Sequence, residues 1–152
     1  MRFIGNTEAK ADIKGRVFLP AQFRKQLQAA AEECLVMRKD ISQDCLVLYP
    51  ESVWNEQLNE LRRRLNRWNS AHQMLYRQFV SDVEIIVPDS SGRILISKRY
   101  QKLCGISQEV RFIGMDDTIE IWAKEKADKP FMDPEVFSRE MENIMSIDLP
   151  NE

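Results

Sequence analysis

The feature that most constrains this chain is an internal repeat. Residues 12 to 19, Asp-Ile-Lys-Gly-Arg-Val-Phe-Leu, return as residues 89 to 96, Asp-Ser-Ser-Gly-Arg-Ile-Leu-Ile, 77 positions later. Asp, Gly and Arg are identical and the three apolar positions match. Phe23 answers to Tyr100 at the same spacing. Glu33 to Asp40 resembles Glu109 to Asp116 one residue closer, and Leu46-Val-Leu-Tyr49 corresponds to Ile119-Glu-Ile-Trp122. Glu8 stands four residues before Asp12 but Glu84 five before Asp89, which reads as one extra residue in the second copy. A repeat of this kind makes one small supersecondary unit, used twice, the economical architecture. Each copy spans about fifty residues, too few to bury a good core alone, so the copies are expected to share one or to interlock.

Both copies have the same grammar. A strand (about residues 3 to 10, or 81 to 87) leads into the Asp-x-x-Gly-Arg turn, and a second strand leaves it over Arg16 to Pro20 or Arg93 to Ser97. A short helix follows, Ala21 to Leu27 with Pro20 at its entry, or Lys98 to Leu103 stopped by Gly105. Two strands then close each unit as a hairpin, about 34 to 38 with 44 to 49, and 109 to 114 with 118 to 122. Between the copies, Trp54, Leu58, Leu61, Leu65, Trp68, Leu75 and Phe79 recur at helical spacing, which predicts a long amphipathic helix from Pro50 to Phe79 with Asn69-Ser70 as its place to break. That stripe reads as a packing face. After Lys129, Val136, Phe137, Met141, Ile144 and Met145 form a shorter amphipathic pattern, with Asp133-Pro134 as cap and first helical residue. The expected class is α+β, divided as 1–52 (first module), 53–79 (linking helix), 80–126 (second module) and 127–152 (acidic tail with a short helix).

Composition narrows the function. There is no long apolar run, and the start turns polar and acidic before a signal-peptide core develops, so neither membrane insertion nor secretion is expected. Three cysteines, Cys34, Cys45 and Cys104, make no C-x-x-C pair and suit a reducing cytoplasm. One histidine, His72, is too few for an ordinary zinc site, and no metal or cofactor is expected. No P-loop, G-x-G-x-x-G or nucleophile constellation is present, which argues against an enzyme and leaves no catalytic residue or small-molecule substrate to name. The net charge of -2 gives no push toward nucleic acid, yet the charge is uneven. Residues 1 to 30 hold six bases against two acids, and residues 113 to 152 hold eleven acids against four bases. Arg62, Arg63, Arg64 and Arg67 read as a solvated helix face.

The repeated turn has a plain structural explanation in part. Asp12 and Asp89 can accept backbone N–H groups in a tight turn, and Gly15 and Gly92 can take positive φ without the Cβ penalty. A turn needs no guanidinium after its glycine, so Arg16 and Arg93 ask for a planar anionic partner. That partner is either the Asp of the same motif or an external phosphate or guanine edge, and the motif alone does not choose.

The sequence Asp12-Ile-Lys-Gly-Arg16-Val-Phe-Leu-Pro20 with Phe23-Arg24, repeated as Asp89-Ser-Ser-Gly-Arg93-Ile-Leu-Ile, resembles the MraZ family of bacterial transcriptional regulators, whose modules are similar to AbrB-type DNA-binding domains. The likeness covers about residues 1 to 126. It includes Phe3 and Gly5, Leu48-Tyr-Pro50 before Trp54, Arg77 and Phe79, and Glu120-Ile-Trp122. The resemblance implies a double swapped-hairpin barrel and ring-like homo-oligomers. It also implies binding of double-stranded DNA at promoter direct repeats upstream of the division and cell wall gene cluster, as a nucleoid-associated repressor. It marks the Asp-x-x-x-Arg motifs as the DNA-contacting edge, which carries over to Arg16 with Lys14 beside it. Arg93 is then a second or supporting contact, and Lys10, Arg2 and Arg24 are candidate phosphate contacts. The chain departs from the pattern at Ser91, where the first copy has Lys14, so the second turn should attract phosphate less. It departs also at Pro88, at Ser97 in place of Pro20, and in the acidic tail. The competing reading is a structural or interaction module in which the two arginines only tie down turns and the helix from Pro50 to Phe79 meets a partner.

Overall fold

Short β-rich runs punctuated by glycine turns, and one apolar helical stretch, resolve in the computed structural model into eight strands and six helices over the described residues, 1–150. The first copy supplies β1 (Asn6–Lys10), β2 (Arg16–Phe18), α1 (Ala21–Ala29), β3 (Leu35–Lys39) and β4 (Leu46–Pro50). Helices α2 (Glu51–Arg64) and α3 (Ser70–Ser81) follow. The second copy supplies β5 (Glu84–Ile86), β6 (Arg93–Leu95), α4 (Lys98–Cys104), β7 (Glu109–Met115) and β8 (Thr118–Ala123), and α5 (Lys124–Ala127) and α6 (Pro134–Met145) complete the α+β fold.

Strand pairing crosses between the copies. β1 pairs antiparallel with β7 and β5 with β3, so each copy lends its first strand to the hairpin of the other. β4 and β8 join the two hairpins, giving one six-stranded sheet in the order β1-β7-β8-β4-β3-β5. That order reads the same when the copies are exchanged. β2 and β6 pair separately as a two-stranded ribbon, with Val17 opposite Ile94. Sheet and ribbon close over one core, where Phe3, Phe23, Leu35, Met37, Tyr100 and Phe112 are fully buried. Phe23 meets Phe3 edge-on at 5.5 Å, and Tyr100 at the equivalent place donates its hydroxyl to Met37 O at 3.2 Å. A buried phenol needs such an acceptor, and burial pushes its pKa up to about 12.

The pairing corrects the alignment of the copies in two places. Leu35 and Met37 face the shared core, as do Val110 and Phe112, so β3 matches β7 at a spacing of 75 rather than the 76 suggested by Glu33 and Glu109. A one-residue slip would turn every core side chain outward, which makes burial, not the exposed glutamates, the arbiter. Similarly, Ala9 packs against the core and Ile86 lies within it, 77 positions later. The second copy therefore has no extra residue before Asp89.

The middle segment is two helices, not one. Leu65 turns extended (φ -95°, ψ 143°), and Asn69 then caps α3 by accepting from His72 N at 3.1 Å. His72 Nδ1 in turn accepts from Asn66 N at 2.8 Å, holding the corner. Capping asparagines in this corner give the backbone partners that the helix ladder would otherwise supply. Trp68, expected on the packed stripe, lies in the corner and is 96% exposed. Trp54 keeps the expected role: with Val53, which the stripe does not include, and Val36, Val47 and Tyr49 it forms a second cluster on the other face of β3 and β4, where it stacks on Phe79 at 5.4 Å. In the tail, α6 begins as expected, with Asp133 accepting from Glu135 N at 2.9 Å, but none of its residues is fully buried. No helix among the described residues is long and apolar enough to cross a membrane.

Candidate functional site

The two repeated turns are built alike. Asp12 Oδ1 accepts from Lys14 N and Arg16 N at 2.9 Å each, and Asp12 O accepts from Gly15 N at 3.0 Å. Asp89 Oδ1 likewise accepts from Ser91 N and Arg93 N at 2.9 Å, and Asp89 O accepts from Gly92 N at 2.9 Å. Gly15 and Gly92 have φ of +89° and +87°, a conformation that a side chain would strain. Pro88 leaves the second loop undisturbed.

Each arginine is also tethered by its own aspartate. Arg16 Nε donates to Asp12 Oδ2 at 2.8 Å, and Arg93 Nε to Asp89 Oδ2 at 2.8 Å. The carboxylates engage Nε, so the Nη1 and Nη2 groups keep donors for another acceptor. Both aspartate carboxyls are held below the usual carboxylate range, first by the backbone N–H of the motif arginine, and also by that arginine's side chain and by the N–H of Lys14 or Ser91. The tether fixes where the guanidinium points before any ligand arrives, which lowers the entropy cost of binding.

The β2–β6 ribbon brings the two arginines to one surface. Val17 and Ile94 point inward and are 1% exposed, so by strand alternation Arg16, Phe18, Arg93 and Leu95 share the outer face. Phe18 and Leu95 are more than half exposed, and Arg93 lies over the Phe18 ring at 5.9 Å. Neither apolar residue was singled out from sequence, although strand alternation around the buried Val17 and Ile94 marks both. Lys14 is exposed at the tip of the first turn, and Lys10 is exposed at the end of β1 that leads into it. Arg2 lies beyond the opposite end of β1, ion-paired with Asp116 at 2.8 Å in the β7–β8 turn, and is not brought to the ribbon.

Arg24, a candidate phosphate contact that belongs to the first copy, reaches the second turn. Its Nη1 donates to Ser91 O at 3.4 Å, and its guanidinium lies so close to Gly92 that a Cβ there would come within 2.4 Å of Nη1. Its equivalent 77 positions on, Gln101, packs against the first turn without a hydrogen bond to it: a Cβ on Gly15 would come within 2.5 Å of its Nε2, which donates to Ile96 O of its own copy at 2.8 Å. Each turn is thus braced by a helix of the other copy. Burial pushes the Cys34, Cys45 and Cys104 thiols up, away from the thiolate form. No cluster of three or more metal-ligating side chains occurs among the described residues.

Comparison with known proteins gives a consistent result. The family model described as "MraZ protein, putative antitoxin-like" matches residues 2–78 and 83–129. The chain is 72% identical to "Transcriptional regulator MraZ" of Phocaeicola vulgatus over 95% of its own length and 94% of that protein. It is 67% identical to the protein of the same name from Bacteroides thetaiotaomicron (96% and 94% covered), and 32% identical to that from Christiangramia forsetii (88% and 85%). The family match stops at residue 129, whereas the alignment to the Phocaeicola protein takes in most of the segment beyond it.

Proposed function

The chain belongs to the MraZ family, and from that premise we propose that it is a sequence-specific DNA-binding transcriptional regulator. The observation that carries this reading is the ribbon face, on which two guanidiniums are pre-oriented by aspartates with their outer nitrogens unspent. A two-stranded ribbon fits the major groove, which is about 12 Å wide, and an Arg fork suits guanine O6 and N7 or a phosphate. In this proposal Arg16 and Arg93 read or position DNA, Lys14 and Lys10 meet flanking phosphates, and Arg2, ion-paired away from the ribbon, contributes least. The two repeats, 1–52 and 80–126, act as one strand-exchanged unit that presents both turns together.

The proposal extends to assembly and setting. The chain works in the cytoplasm, at the nucleoid, as a ring-like homo-oligomer on promoter direct repeats, repressing the division and cell wall gene cluster. Exposed Trp68, Met74 and Leu75 on and beside α3 offer an apolar surface suited to self-association. A ring makes each later contact effectively intramolecular, so weak single sites suffice despite the net charge of -2. The acidic segment after Asp128, six acids against two bases, would then discourage binding to unrelated DNA.

Gel shift on a labelled duplex from upstream of the chain's own gene, run across a salt series, tests the reading. Affinity should fall steeply with salt, and Arg16→Ala should lose specific binding while the protein stays folded. The Asp–Arg tethers favour one other reading, a purely structural turn. Under that reading Arg16→Ala lowers thermal stability and leaves any DNA affinity unchanged.

A further inference from the structure

The second turn looks deficient in cations because Ser91 stands where the first has Lys14. The fold removes that deficiency. We propose that Arg24 is the missing cation of the Asp89 turn, so that the phosphate-binding site of this turn is composite, with Arg93 from the second repeat and Arg24 from the first. This inference rests on the DNA-binding reading above.

Position is the first argument. Ser91 is the counterpart of Lys14 at the spacing of 77, and Arg24 Nη1 donates to the carbonyl of that same Ser91. The guanidinium therefore sits at the residue whose side chain lacks the charge. Availability is the second. Arg16 and Arg93 each have an aspartate partner, but Arg24 takes part in no ion pair among the described residues. Glu32 and Glu33 line the same groove without pairing to it. One long bond to a carbonyl leaves most of the N–H donors on Nη1 and Nη2 unspent, while Nε, buried and unpartnered, faces the protein. Complementarity is the third. Arg24 and Gln101 are equivalent residues that brace opposite turns, and each matches its turn: neutral Gln101 faces the turn that has Lys14, and charged Arg24 faces the one that does not. Each turn thereby holds two cations and one carboxylate.

A charge-swap series tests this. Salt-dependent binding to the duplex from upstream of the chain's own gene, and to a scrambled duplex of equal composition, would be measured for the full chain, Arg24→Gln, Arg24→Gln with Ser91→Lys, and Arg16→Ala. Arg24→Gln installs the residue that already braces the first turn. It should make the log–log salt slope shallower by about 0.9 for each subunit engaged, on both duplexes. Adding Ser91→Lys should restore the slope. The inference is overturned if Arg24→Gln binds like the full chain while Arg16→Ala does not. It is equally overturned if Ser91→Lys fails to rescue, because Arg24 would then act on the turn's shape and not its charge. If Arg16→Ala also keeps the full affinity and slope, the DNA-binding reading itself fails.

Discussion

The turns at Asp12 and Asp89 share their backbone hydrogen bonds and their Asp–Arg tether, yet they differ in almost everything that surrounds them. At the first, the tip carries a lysine, the bracing residue is Gln101, and the residue across the ribbon from Arg16 is Leu95. At the second, the tip carries a serine, the bracing residue is Arg24, and the residue across from Arg93 is Phe18. Shape is held by the Asp and Gly of the motif, while charge and apolar contact come from residues outside it. Two such turns can keep one geometry while their ligand-facing chemistry is divided differently between the repeats.

Replacing the arginines breaks the comparison most severely. Arg16→Ala should cost about 1 to 3 kcal/mol of specific DNA binding per engaged site, and a ring would multiply the loss. Arg93→Ala should cost less, since its turn keeps an aromatic ring and a guanidinium, Phe18 and Arg24, where the first keeps only Leu95 and a lysine. Gel-shift titrations of both variants give the ratio. Thermal unfolding should change by less than about 1 kcal/mol in each case, as the tethers are at the surface. Equal losses from the two would show that the surroundings do not matter.

The glycines separate the turns by stability. Both have positive φ, so alanine at either should cost about 1 to 2 kcal/mol from backbone strain. A Cβ on Gly15 would also lie 2.4 Å from the backbone oxygen of Ile96, whereas on Gly92 it would meet Arg24, whose side chain can swing away. Gly15→Ala should therefore melt at a lower temperature than Gly92→Ala. Gly92→Ala should instead displace Arg24 and flatten the salt dependence of binding, and the two measurements together check the assignment.

Much of this was legible because the motif residues do local work. Asp, Gly and Arg at fixed spacing announce a turn wherever they occur, and repetition identified two. The family likeness implies swapped hairpins, and what the structure exchanges between the copies is the first strand of each, β1 pairing with β7 and β5 with β3. Register was less legible. Glu33 and Glu109 aligned well as letters, but the buried Leu35 and Val110 decide which face is which. The helix break was legible at Asn69, but Trp68 was misplaced because periodicity carries an apolar residue onto the stripe whether or not the helix continues. Arg24 was the hardest to place. Its charge alone marks it in the sequence, and nothing near it there says that its partner is Ser91, 67 residues away.

A helix entry provides a smaller contrast between the copies. Ser97 caps α4 by accepting from Tyr100 N at 3.3 Å, while Pro20 at the equivalent place has no side-chain acceptor and only presets the backbone (φ -52°). Ser97→Ala should cost about 1 kcal/mol in chemical denaturation, because an N–H at the helix start loses its partner. Ser97→Pro should recover part of that loss by copying the first repeat, provided α4 tolerates the same entry.

The smallest effect expected is that of acid. The carboxyls of Asp12 and Asp89 titrate below their ordinary value because the folded turn donates backbone N–H groups to the ionised form. A depressed folded pKa means that the unfolded chain takes up the proton first as pH falls. The stabilisation is therefore complete above the ordinary carboxylate range and is lost as pH falls through the lowered values. Asp12→Asn keeps an acceptor but no charge, so the stability difference between it and the unaltered chain should be constant near neutrality and shrink at low pH. Asp89→Asn should behave in the same way, since the two turns share these bonds. Thermal melts across an acid series check this, and a gap that stays open below the carboxylate range would mean that the turn depends on the shape of the aspartate and not on its charge.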